Sequence, residues 1–121
     1  MHAVRVVVVD DHGPFRYAVT AMIGELDGFV VVGSAESGEQ SLELVSTTPT
    51  DLVLMDVNLP GMTGIEAATV LSRVADPPAV VLLSTYDEGE LDYRGSGAVA
   101  YVNKAAFSAA RLVEVWTAAT T

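Results

Sequence analysis

The chain has 121 residues, half of them hydrophobic and 18% charged, with a formal net charge of −10 at pH 7 and no cysteine. This composition predicts one folded domain with a real core, and it excludes a disordered chain, a disulfide scaffold and a thiolate metal site. A surface this acidic repels phosphate backbones, so the domain should not bind DNA or RNA by itself. No apolar run approaches the ~20 residues that span a bilayer, and the N-terminus is a poor signal peptide. We therefore expect a cytoplasmic domain with no membrane contact.

Short apolar runs alternate with helical patterns along the chain. Each run is too short for a helix and ends at polar or turn residues, which is typical of buried parallel strands. In the first helical pattern, Ala18 and five other apolar residues recur at three- and four-residue steps. The third pattern predicts a helix from Thr63 or Gly64 with Val74 or Ala75 still facing inward, broken at residues 76–78. The predicted strands are residues 5–9, 29–33, 51–56, 79–83 and 98–102, and the predicted helices begin near residues 14, 39, 64 and 109.

The stretch between residues 86 and 97 breaks the alternation. It contains three glycines and few apolar residues, so it predicts a short or irregular helix at most. Strands that alternate with helices predict an α/β fold, with a parallel sheet covered by helices on both faces. Residue 121 looks like the edge of this single domain.

The strand ends carry the chemistry. Carboxyl ends of parallel strands share one edge of a sheet, where ligands bind in open α/β folds. Clustered carboxylates repel one another unless a cation relieves them, and all-oxygen ligands favour a hard ion such as Mg²⁺. A carboxylate beside Mg²⁺, an ammonium and a hydroxyl is the set that phosphoryl transfer requires. The residues at the predicted strand ends are Asp10, Asp11, Asp56, Ser84, Thr85 and Lys104.

Four segments together resemble the receiver domain of two-component response regulators, over essentially the whole chain. They are VVDDH at 8–12, LMDVNLPGMTG at 54–64, VLLS at 81–84 and GAVAYVNK at 97–104. The histidine after the acid pair favours the NarL/FixJ type. The resemblance implies the doubly wound, flavodoxin-like (CheY-like) sheet with strand order 2-1-3-4-5.

The resemblance also implies a role for each residue at the strand ends. Asp56 is the phosphoacceptor. Asp11 binds Mg²⁺ directly and Asp10 binds it through water, while Asn58 offers its backbone carbonyl. The predicted metal ligands are therefore Asp10, Asp11, Asp56 and Asn58. Ser84 and Lys104 hold the phosphoryl oxygens, and Tyr101 matches an aromatic residue that turns inward on activation.

By this resemblance the chain is a signalling switch and not an ordinary enzyme. A sensor histidine kinase supplies the phosphoryl group, which the domain hydrolyses slowly, and the resulting change of surface controls an output such as transcription. The resemblance suggests a DNA-binding effector domain after residue 121, so DNA contact is expected through that domain alone.

Two features depart from the family pattern. The region between Ser84 and Gly97 is short and rich in glycine, which predicts a shortened fourth helix and a signalling or dimer surface elsewhere, for example on the first and last helices. Ala105 follows Lys104 where many receivers have proline after a cis bond, and the sequence leaves open whether the Lys104–Ala105 bond is cis.

Three other functions remain open at this point. A degenerate receiver would act as an interaction module without phosphorylation. A phosphatase of the haloacid-dehalogenase kind would need an acid at Asn58. A nucleotide- or flavin-binding domain would need a glycine-rich phosphate loop after the first strand, and the sequence contains none there.

Overall fold

A computed structural model describes residues 2–85 and 93–121. Within these residues, five parallel strands form one sheet in the order β2-β1-β3-β4-β5, which confirms the predicted topology. No helix in the described ranges is long and apolar enough to cross a membrane. The strands are β1 (Val4–Val9), β2 (Phe29–Ala35), β3 (Leu52–Asp56), β4 (Ala79–Ser84) and β5 (Ala100–Asn103); the α-helices are α1 (Gly13–Gly24), α2 (Gly38–Thr47), α3 (Gly64–Leu71) and α4 (Ala109–Thr120), and a 3₁₀ turn covers Lys104–Ala106.

The sheet divides the core into two layers, because successive side chains of a strand point to opposite faces. One face packs against α2 and α3, around residues such as Val53 and Met55. The opposite face packs against α1 and α4, around residues such as Leu52 and Leu54. All five residues of β3 are buried, so this central strand is fixed on both sides and from both neighbours.

Capping residues set where the helices that follow the carboxyl edge of the sheet begin. Thr63 and Glu66 form a reciprocal capping box at the start of α3, which directly follows the loop after β3. Ser37 caps α2 by accepting from the backbone N–H of Gln40, and Ser108 caps α4 in the same way through Arg111. These caps fix the loops at the carboxyl edge of the sheet.

Several predicted boundaries were wrong. The third helix ends at Leu71 and not near residue 75, since the chain turns back toward β4 and leaves Val74 and Ala75 exposed. Ala18 was predicted to lie on the apolar face of the first helix, but it is exposed on α1.

The edge strands also differ from their predicted bounds. Strand β2 continues through two residues predicted as a turn, up to Ala35, because β1 offers pairing partners along that length. Strand β5 begins at Ala100, two residues later than predicted, where pairing with β4 starts. The short fourth helix expected between Ser84 and Gly97 is a different segment from α4. It falls largely on residues 86–92, which lie outside the described residues.

Asp51 joins the amino ends of β1 and β3, at the edge of the sheet opposite to the one that carries Asp10 and Asp56. Its carboxylate accepts two bonds from the Arg5 guanidinium (2.9 and 3.0 Å) and one from the Arg5 backbone N–H (2.8 Å). The Arg5 side-chain hydrogen bonds, supported by its backbone N–H and its charge, lower the pKa of Asp51 from 3.8 to about 2. The ionised carboxylate therefore stabilises the folded state.

We expect Asp51→Asn to lower the free energy of unfolding at pH 7 by about 1 to 2 kcal/mol, after allowance for solvent screening. Because the pKa is lowered in the folded state, this contribution is complete above the ordinary value of 3.8 and is lost as the pH falls through about 2. Urea unfolding at a series of pH values measures it. Glu43→Gln on the exposed face of α2 serves as the control, and a gap between Asp51→Asn and the wild type that stays constant down to pH 2 would contradict the assignment.

Candidate functional site

Three carboxylates meet at the carboxyl edge of the sheet. Val9 of β1 pairs with Met55 of β3, so Asp10 and Asp56 follow paired residues on adjacent strands. One oxygen from each of Asp10, Asp11 and Asp56 lies within 4.8 Å of the others. Asp10 and Asp56 are buried, whereas Asp11 is exposed at the mouth of the cluster. The structure thus brings the three predicted acids together.

Lys104 follows the edge strand β5, and its side chain contacts two of these acids. Its Nζ donates to Oδ2 of Asp10 at 2.7 Å and lies 3.4 Å from Oδ2 of Asp56. The 3₁₀ turn that begins at Lys104 is capped by Asn103, whose side chain accepts from the backbone N–H of Ala105. The Lys104–Ala105 peptide bond, left open by the sequence, is trans.

Backbone donors orient the two buried carboxylates. The N–H of His12 donates to Oδ1 of Asp10 at 2.8 Å, and the N–H of Asn58 donates to Oδ1 of Asp56 at 3.2 Å. Arg16 adds a bond from Nη1 to the backbone carbonyl of Asp10 at 2.7 Å. Each carboxylate is therefore held in a defined direction before any ligand arrives.

The electrostatics of the cluster favour a bound cation. Burial raises the pKa of Asp56, and the neighbouring charge of Asp10 raises it further, against the opposing effects of Lys104 and of the Asn58 N–H. A divalent cation would relieve this repulsion. The donor set is all oxygen, with one ligand exposed and two buried, so these residues fit a hard ion such as Mg²⁺.

The remaining predicted residues lie around the acids. Ser84 is buried at the end of β4, one residue beyond the Leu83 that pairs with Asp56. Asn58 is exposed in the loop after β3, where its backbone lies beside Asp56. Tyr101 is already buried among residues of the α2 and α3 layer, and its ring stacks on Tyr93 with centroids 5.0 Å apart. Its role as a switch stays a prediction.

Two features at the site were not predicted from sequence. Phe15 was interpreted simply as a core residue of α1, yet its ring contacts Lys104. Gly64 was noted as a helix start, yet a Cβ at this position would lie 2.1 Å from the backbone oxygen of Asp56. The glycine that follows the loop after β3 was the available signal for the second feature, whereas the first joins positions 15 and 104 and left no local signal.

Comparison with known proteins gives the family. The model of the response regulator receiver domain matches residues 6–116. The chain is 41% identical over 105 residues to the response regulator GacA of Pseudomonas viridiflava, covering 85% of this chain and 49% of that protein. It is 31% identical to the response regulator UvrY of Escherichia coli, covering 85% and 48% respectively. The chain thus spans about half the length of these curated relatives.

Solved structures agree with this result and with the predicted NarL-like type. The receiver domain of the response regulator NarL from Mycobacterium tuberculosis superimposes with a TM-score of 0.83 at 32% identity, covering 98% of this chain and 94% of that one. A response regulator of the LuxR family from Aurantimonas gives a TM-score of 0.85 at 28% identity, covering 97% and 84%. Because the family model matches nearly the whole length of this chain, the chain belongs to the response regulator receiver domain family.

Proposed function

We propose that Asp56 accepts a phosphoryl group from a phosphohistidine of a sensor histidine kinase, with Mg²⁺ held by Asp10, Asp11, Asp56 and the backbone carbonyl of Asn58. The observation that supports this proposal most directly is the meeting of three carboxylates with the Lys104 ammonium at one edge of the sheet. The bound metal ion would neutralise charge on the phosphoryl oxygens during transfer. The chain belongs to the receiver family, which argues against a phosphatase of the haloacid-dehalogenase kind.

In the proposed reaction a carboxylate oxygen of Asp56 attacks phosphorus, the P–N bond of the phosphohistidine breaks, and the imidazole nitrogen keeps the electron pair. The backbone N–H of Asn58 orients the attacking carboxylate. Lys104, 3.4 Å from Asp56, can pair with an incoming phosphoryl oxygen, and Ser84 would donate to another. Most of the rate would come from positioning and charge neutralisation. Slow hydrolysis of the acyl phosphate would return Asp56 to its free state.

The output of the protein is a further part of the proposal. Phosphorylation would shift a two-state equilibrium at the Ser84 and Tyr101 side of the domain and so change the surface that a partner contacts. The curated relatives named above are response regulators of which this chain covers about half. We propose that control of transcription, DNA contact and dimerisation belong to the longer protein, with the receiver as its phosphorylation-sensitive part. A cytoplasmic location stays a prediction from the sequence.

Incubation with acetyl phosphate and Mg²⁺, followed by intact-mass measurement, tests the proposed reaction. Acetyl phosphate serves as a small donor whose P–O bond breaks to release acetate. We expect the mass to rise by one phosphoryl group with Mg²⁺ and not with excess chelator. A chain that never gains this mass would favour a phosphorylation-independent interaction module instead.

We expect Mg²⁺ to stabilise the wild-type chain against thermal unfolding, because the ion binds the folded cluster of carboxylates and not the unfolded chain. At a Mg²⁺ concentration a hundredfold above the dissociation constant, the gain in unfolding free energy is about 2.7 kcal/mol. Asp11→Asn removes a charged ligand from the mouth of the cluster and should weaken Mg²⁺ binding by at least about tenfold. Asp27→Asn, in the exposed loop between α1 and β2, should leave the affinity unchanged. Equal Mg²⁺ affinity in wild type and Asp11→Asn would contradict the assigned ligand.

A further inference from the structure

The ring of Phe15 contacts the ammonium of Lys104, the same group that contacts Asp10 and Asp56. Phe15 lies in the first turn of α1, just after the acid pair, and Lys104 follows β5. Nζ of Lys104 lies 4.5 Å from the centroid of the Phe15 ring, which is within the range of a cation–π interaction. The Lys104 side chain is only 17% exposed, so water screens this contact weakly.

A contact that does not involve the acids would keep the Lys104 ammonium in place when a metal ion binds them. The ammonium lies closest to Asp10, at 2.7 Å, and farther from Asp56, at 3.4 Å. A divalent cation held by Asp10, Asp11 and Asp56 would draw on carboxylates that Lys104 contacts and would also repel the ammonium. Since the lysine stem is long and flexible, loss of these contacts would release the amine from the rim of the site. An aromatic face attracts the ammonium and offers no oxygen to the metal ion.

We propose that Phe15 is a positioning residue that holds the Lys104 ammonium beside Asp56 while the acids are occupied by the metal ion. This inference rests on the proposed function, because the held amine matters only if Asp56 receives a phosphoryl group. Phe15 does not touch the reacting atoms and acts through Lys104. It also packs against the core layer of α1 and α4, so its role in Lys104 placement must be separated from its role in packing.

The test compares rate constants of phosphorylation by acetyl phosphate at saturating Mg²⁺, measured by intact mass. Phe15→Leu keeps an apolar side chain and removes the aromatic face, and we expect the rate constant to fall about fivefold. The Mg²⁺ dissociation constant, titrated separately, should stay within about twofold of wild type, since the ring binds no metal. Phe15→Tyr retains the aromatic face and should retain the wild-type rate constant. Phe29→Leu is the matched control, because Phe29 packs against the same core layer from the start of β2.

A double-mutant cycle with Lys104→Met separates positioning from packing. If Phe15 acts through the ammonium, adding Phe15→Leu to Lys104→Met should change the rate constant by less than about 1.5-fold. An independent signature comes from proton NMR of the metal-free chain. The ε-methylene protons of Lys104 should lie upfield of their ordinary position in the wild type, through the ring current of Phe15, and should return to it in Phe15→Leu.

Three results would overturn the inference. The first is an unshifted Lys104 methylene signal in the wild type. The second is equal rate constants in wild type and Phe15→Leu. The third is a fivefold effect of Phe15→Leu that persists in the Lys104→Met background, or a fivefold effect of Phe29→Leu. The first result needs no variant, so it can be obtained even where Phe15→Leu folds poorly. A wild-type chain that gains no phosphoryl mass contradicts the proposed function and this inference with it. If the inference alone fails, the wild type still gains the phosphoryl mass, and only the difference between wild type and Phe15→Leu is missing.

Discussion

A chain carrying Asp56→Asn is expected to gain no phosphoryl mass from acetyl phosphate and Mg²⁺, because an amide lacks the nucleophilic carboxylate oxygen. The substitution is nearly isosteric, so the buried end of β3 should keep its packing. Asp51→Asn is a matched control, since the same change is made just before the other end of that strand. Asp51 binds Arg5 at the opposite edge of the sheet, and this variant should be phosphorylated at the wild-type rate.

The folded state of Asp56→Asn should be at least as stable as the wild type at pH 7 without metal. Burial and the charge of Asp10 raise the pKa of Asp56, so the ionised carboxyl penalises the folded state as the pH rises above the ordinary value of 3.8. Removing the charge removes this penalty, and urea unfolding verifies that the variant is folded. Acid-labile phosphate retained in Asp56→Asn would show that another residue is the acceptor.

Gly64→Ala is expected to lower the free energy of unfolding by about 3 kcal/mol or more. The added methyl carbon would lie 2.1 Å from the backbone oxygen of Asp56 and 2.8 Å from the Cα of Val57, and backbone atoms cannot move aside as a flexible side chain can. The start of α3 would have to separate from the end of β3, breaking the bond from the Gly64 N–H to the Val57 carbonyl. Urea denaturation measures the loss.

Gly24→Ala provides the control for the same chemical change. A Cβ at Gly24, the last residue of α1, has no neighbour within 4 Å. Alanine is the better helix former, so we expect a stability within about 1 kcal/mol of wild type and on the stabilising side. If Gly64→Ala proved as stable as Gly24→Ala, the close approach of α3 to the end of β3 would be contradicted.

The sequence predicted the sheet and its acidic edge because both follow local rules. Fully buried strands appear as short apolar runs, and the acids come directly after two of them. Parallel pairing then places Asp10 and Asp56 side by side, as the register of β1 and β3 shows. Strand order came from the family resemblance, and it was correct.

The wrong or missing predictions depend on contacts between distant residues. The apolar periodicity of α3 continues to Val74, but the chain must return to β4, and it turns through Asp76 in a left-handed conformation (φ 51°). Asp51 was interpreted as part of a strand, while its function in the fold is to bind Arg5, 46 residues earlier. Such pairings leave no mark within a short window of sequence.

We propose that one particular carboxylate in this cluster, that of Asp56, receives the phosphoryl group. Reduction with borohydride after acetyl phosphate treatment converts a phosphorylated aspartate into homoserine, which peptide mass spectrometry locates. We predict conversion at residue 56 when Mg²⁺ is present and none when it is chelated. Conversion at Asp10, Asp11 or another acid, or no conversion in a chain that gains phosphoryl mass, would contradict this account.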